Sequence, residues 1–168
     1  AQNYSDWCRI ANLKAIIDVM ATEYELPIAI EDINQYFVDW TLKSFGKLSS
    51  AMNRLSPVLV SRAMEYMHDR SAKFIVIVMD GMSQFDWRIL SSSFGNIVYR
   101  KTDIFAMIPT TTSVSRQCLL SNKLPLQLAA PWSQSKEKSE FIECALELGY
   151  TIDQIGYERG YAADFGMS

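Results

Sequence analysis

Two stretches of the chain end in side chains suited to phosphoester chemistry: KFIVIVMDGMS, residues 73–83, and IPTTTSVSRQCLL, residues 108–120. Each reads as a strand running into a turn and then a helix. The first delivers the carboxylate of Asp80 to its turn, the second the hydroxyl of Thr112. Gly81 lets the backbone turn directly after Asp80, and a carboxylate is the kind of oxygen ligand that a hard dication takes. Thr112 falls where a helix begins, and free N–H groups and the helix dipole there favour a bound phosphate. A metal that lowers the pKa of its hydroxyl makes it a nucleophile. Each motif also has a plain structural reading. An Asp-Gly pair caps many turns, and Thr110, Thr111 and Thr112 are all natural helix caps.

The elements that must position these groups fall into two halves. Up to about Arg70 the apolar period is helical. Residues 4–21 place Trp7, Ile10, Ala11, Leu13, Ile17 and Met20 on one stripe. After Pro27, residues 31–45 resume with Ile33, Tyr36, Phe37, Trp40 and Leu42, and Gly46 stands where a helix would stop. Ser56 and Pro57 then supply a cap and a first-turn proline for a third helix through Val58, Val60, Ala63, Met64 and Met67, ending at His68, Asp69 and Arg70. Beyond Ser71 the period changes. Residues 74–79 are an unbroken Val- and Ile-rich run, the pattern of a strand buried on both faces of a parallel sheet. A helix over residues 83–90 follows, with Ser83 and Asp86 at capping-box spacing. Residues 102–107 read as a second strand, 113–121 as a short helix, 135–148 as an amphipathic helix stopped by Gly149, and 152–157 as a third strand. The expected fold class is therefore α/β, a parallel sheet core preceded by a small helical region, with a boundary near residue 70. In such sheets ligands lie beyond the carboxyl ends of the strands, where Asp80 and Thr112 would both sit. Three strands make an incomplete sheet. Residues 160–168 show no period and the chain does not open with methionine, so residues 71–168 read as the first part of a truncated domain.

Composition narrows the function. The chain has 168 residues, of which 49% are apolar and 21% charged, and a net charge of −3, so it is globular and offers no bulk positive charge for a polyanion. Cys8, Cys118 and Cys144 are odd in number and lack CxxC spacing, which argues against a disulfide framework or zinc knuckle and for reduced, buried thiols. No apolar run reaches the ~18 to 20 residues that span a bilayer. A cytoplasmic protein with no membrane partner is expected. A haloacid-dehalogenase-like site wants a second acid two residues after the first, where Met82 stands, and no GxxxxGK[ST] loop is present. A receiver-like phosphoacceptor Asp would leave the threonine run unexplained.

The stretches VMDGMSQFDW and IPTTTSVSRQCLLSNKLP, with FVDWTLKSFGKLSS before them, resemble the PglZ domain, a branch of the alkaline phosphatase superfamily, over roughly residues 72–157. The resemblance implies an alkaline-phosphatase-like sheet core. It also implies that Asp80 is a metal ligand and that Thr112, in the pattern carried by Pro109, Thr110, Thr112 and Pro125, is the catalytic nucleophile and a metal-contacting group. The cofactor so implied is a divalent metal, zinc-like. The activity implied is that of a phosphoesterase or phosphodiesterase acting on a nucleic acid or nucleotide, in bacterial phage defence or signalling, among defence-complex proteins. The alternative is a noncatalytic scaffold that keeps the domain to bind partners. Ser115 replaces the asparagine that often follows the nucleophile by three residues, and Asn122 stands where many relatives have glycine. Arg116 offers a bidentate phosphate contact, with a solvated helix arginine as its other reading. The further Asp and His ligands of the superfamily are missing, and His68, the one histidine, lies upstream of the first expected strand. The chain alone is expected to be inactive.

Overall fold

A computed structural model describes residues 1–28, 32–48, 57–108, 110–130 and 132–160. The helices are α1 (Tyr4–Glu23), α2 (Asp32–Leu48), α3 (Ala63–His68), α4 (Gln84–Ser92), α5 (Thr112–Ser121) and α6 (Glu137–Glu147), with short 3-10 turns between them.

Local chemistry accounts for most of these. Asn3 caps α1 by accepting the Asp6 N–H at 3.0 Å. Ser83 and Asp86 form the expected capping box of α4: the Asp86 N–H donates to Ser83 Oγ at 3.1 Å and the Ser83 N–H to Asp86 Oδ2 at 2.9 Å. The α2 helix runs through Gly46 rather than stopping before it, and this brings Leu48 into the core. Burial of that leucine outweighs the roughly 1 kcal/mol that a mid-helix glycine costs. The third helix also starts later than its pattern predicts. Leu59 is extended, a 3-10 turn covers Val60–Arg62, and only then does α3 begin. Ser56 lies outside the described residues.

Two apolar clusters form the core. Leu48, Val58, Leu59, Met107, Val114, Cys118 and Leu128 make one, with Trp40 and Phe105 against it. Met64, Leu120 and Cys144 make the other, joined by Phe74, Val76, Val78, Phe141 and Tyr157. Contacts run across residue 70. Phe37 stacks on Phe105 at 6.1 Å, and Trp40 lies 5.7 Å from the same ring. Asp103 accepts from Asn12 of α1 and Gln84 of α4, each at 2.9 Å, which locks these helices together. Leu13, Ile17 and Met20 of the α1 stripe stay largely exposed.

The expected α/β parallel sheet is not formed. Among the described residues the single β-bridge is parallel and joins Leu59 to Phe105. It is held by the Phe105 N–H to the Val58 carbonyl and the Val60 N–H to the Phe105 carbonyl, both 2.9 Å. Residues 74–79 take no regular secondary structure and no backbone pairing among the described residues, 102–107 pair only through that bridge, and 152–154 coil into a 3-10 turn. The alkaline-phosphatase-like sheet core is thereby overturned for these residues. The physical reason lies in pairing. A strand is stabilised by its cross-strand neighbours, and Phe105 takes its neighbour from the residue 58–60 stretch instead of from residues 74–79. One face of the 74–79 run packs on helices, and on the other Ile75 and Ile77 stay largely exposed.

Candidate functional site

Asp80 sits where the 74–79 run ends. The chain turns there, with Gly81 at φ +72°, a left-handed conformation that glycine adopts without penalty. The Asp80 side chain is 44% exposed, and its Oδ2 lies 3.9 Å from Nη1 of Arg116 on α5. Thr112 is the first residue of α5 and is partly buried. Its neighbour Thr111 is the N-cap in extended conformation and makes no side-chain cap hydrogen bond. The Thr111 carbonyl accepts from the Val114 and Ser115 N–H groups at 3.1 and 2.9 Å. The Thr112 and Ser113 N–H groups have no partner among the described residues. This is the anion-favouring end expected of a helix.

Thr112 and Arg116 are four residues apart on one helix and so share a face. The Arg116 contact therefore brings the Asp80 turn to the same side of α5 that carries Thr112. Pro109 of the expected motif lies outside the described residues. Thr110 is exposed, and Pro125 opens a 3-10 turn after α5. Ser115 has a buried Oγ without a hydrogen-bond partner. Asn122 is the C-cap of α5 at φ 55°, ψ 23°, left-handed geometry in which glycine is the commoner residue. That geometry accounts for an asparagine at a position where glycine is also accepted. His68 ends α3, with its Nδ1 3.1 Å from the Tyr150 hydroxyl.

Arg116 is not a solvated arginine. Its Nη2 donates to Glu137 Oε1 at 2.5 Å, and Glu137, on α6, is 1% exposed. The Tyr157 hydroxyl donates to the same carboxylate oxygen. Burial, and then the adjacent Glu137 carboxylate, raise the Tyr157 pKa above its ordinary value. Asp80, Arg116, Glu137 and Tyr157 thus form one polar chain linking the Asp80 turn, α5, α6 and the residues after α6. Glu137 and Tyr157 were not legible as part of this set. A signal existed: Glu137, Glu140 and Cys144 follow i, i+3, i+7 spacing, so the stripe that buries Cys144 also buries two acids.

The metal implied by the family resemblance can be tested against these residues. Catalytic zinc normally has three protein ligands and structural zinc four, whereas Asp80 and Thr112 supply two oxygens and the nearest charged neighbour of Asp80 is a cation. Among the described residues, no three His, Cys, Asp or Glu side chains are grouped to hold a metal ion. By themselves, then, these residues do not make a zinc site. No helix among them is long and apolar enough to cross a membrane. Comparison with protein-family models, with curated proteins and with solved structures finds no match to this chain.

Proposed function

We propose that this chain carries the nucleophile-bearing part of a metal-dependent phosphoesterase or phosphodiesterase of the PglZ type. The substrate would be a nucleic acid or nucleotide phosphodiester, in bacterial phage defence or signalling and in the company of defence-complex proteins. The observation that carries the reading is the Arg116–Asp80 contact, which sets the Asp80 carboxylate beside the N-terminal face of α5, where Thr112 lies and where two N–H groups have no partner among the described residues. In this reading Thr112 Oγ would attack phosphorus, forming a phosphothreonine ester as the P–O bond to one substrate alcohol breaks and that alcohol leaves with the proton Thr112 gives up. Water would then hydrolyse the ester, and the N–H groups of Thr112 and Ser113 would receive the phosphoryl oxygens. Asp80 contributes one ligand to a zinc-like ion, whose chemistry when bound is to lower the hydroxyl pKa. The remaining ligands must come from beyond the described residues.

The test uses an aryl phosphodiester with added zinc. The 168-residue chain alone should show no turnover. In the natural protein that contains it, Thr112→Ala should lower kcat/KM by roughly 10³, about 4 kcal/mol, while Thr112→Ser keeps measurable activity. Activity of Thr112→Ala within tenfold of the parent would sink the assignment. A second reading, a noncatalytic PglZ-like scaffold, is favoured by the open apolar face of residues 74–79. It predicts that Thr112→Ala leaves partner binding and biological function intact.

A further inference from the structure

Residues 74–79 form the least satisfied surface of the protein. Phe74, Val76 and Val78 pack on the Met64, Leu120 and Cys144 cluster. On the opposite face Ile75 is 89% and Ile77 81% exposed, with half-exposed Met79 beside them. Ser71 ties down Lys73 through its hydroxyl, which donates to the Lys73 carbonyl at 2.6 Å. Beyond that point no backbone N–H or C=O of residues 74–79 has a hydrogen-bond partner among the described residues. A six-residue segment whose side chains alternate between half-buried and exposed, with no proline, no glycine and no internal charge, is suited to strand addition. The other exposed apolar stretch, around Ile97 and Val98, runs into Arg100 and Lys101, charges that guard an edge.

We propose that residues 74–79 are a self-association edge, on which the segments of two copies of this chain pair antiparallel about a two-fold axis. The charges of the segment select this occupant. Its only ionic groups are at its ends, Lys73 and Asp80, and they are opposite in sign. Antiparallel pairing sets Lys73 of each copy at the end where the other copy's Asp80 lies, whereas parallel pairing would align like with like. With Val76 opposite Val76, Ile75 faces Ile77 and Phe74 faces Val78. Each of these pairs has both side chains on one face, as directly opposed residues require. A two-fold contact uses the same edge of both copies, and each copy meets the other through the same residues. The inference does not require Thr112 to act as a nucleophile.

Light scattering after size-exclusion chromatography, on the 168-residue chain, tests it. The mass should move from monomer towards dimer as concentration rises from about 1 to about 100 µM. Amides of residues 74–79 should become protected from hydrogen exchange over the same range. Among the described residues the Ile77 N–H has no hydrogen-bond partner, so Ile77→Pro alters the centre of the segment without removing a hydrogen bond among them. Ile77→Pro and Ile77→Lys should weaken association at least tenfold with unchanged helical circular dichroism. A wild-type chain that stays monomeric throughout would overturn the proposal. So would variants that associate as the wild type does, or protection that appears elsewhere than residues 74–79.

Discussion

Replacing Arg116 with glutamine gives the sharpest test of how α5 and α6 are held together. In the native chain Arg116 Nη2 lies 2.5 Å from the Glu137 carboxylate, and Glu137 is almost wholly buried. Removing the guanidinium leaves that carboxylate buried with the Tyr157 hydroxyl as its remaining partner. Breaking a buried pair in this way costs about 3–5 kcal/mol, because an uncompensated charge stays behind. In a domain of this size the loss lowers Tm by roughly 6–20 °C. The double variant Arg116→Gln, Glu137→Gln removes both charges while keeping volume and hydrogen-bonding capacity, so it should recover most of the loss. Urea unfolding of the wild type, both single variants and the double variant gives the coupling energy by a double-mutant cycle. If Arg116→Gln costs under about 1 kcal/mol, or if the double variant is no more stable than Arg116→Gln, the pair is a surface contact and the reasoning is wrong.

Further outcomes follow from the same structure. Burial raises the Glu140 pKa, so the folded state holds its proton more tightly than the unfolded chain does. Stability should therefore fall as pH rises from the unfolded pKa through the raised one, and Glu140→Gln should flatten that slope in thermal melts across acid to neutral pH. A slope unchanged by Glu140→Gln would contradict this. Met64 is buried at the centre of the second cluster, so Met64→Ala should cost about 2–5 kcal/mol in urea unfolding. The Cys118 and Cys144 thiols are pushed up to about 11 by burial, whereas Cys8 is half-buried. A thiol reagent near neutral pH should label Cys8 first and reach the other two only on unfolding, which mass mapping of the labelled cysteines would check.

Local signals in the sequence were enough for several helices and turns, though not for the start of α3, the end of α2 or which residues of α1 are buried. The period of residues 4–21, the Ser83–Asp86 capping box, the Asp80-Gly81 turn and the start of a helix at Thr112 all follow from neighbours within four residues, and the structure has each of them. Interactions of that range are written in the chain itself. The tertiary structure decided what long-range contact decides. The apolar run 74–79 has the composition of a doubly buried strand, but composition names no partner, and Phe105 pairs with Leu59 instead. Likewise Arg116 reads as a helix-surface cation until α6 brings Glu137 against it, 21 residues away. Asp80 and Thr112 were legible as a carboxylate and a hydroxyl at two turns. That Arg116 brings the Asp80 turn to the Thr112 face of α5, and that the open side of the 74–79 run is left for another surface to cover, depends on packing between segments that no local pattern encodes.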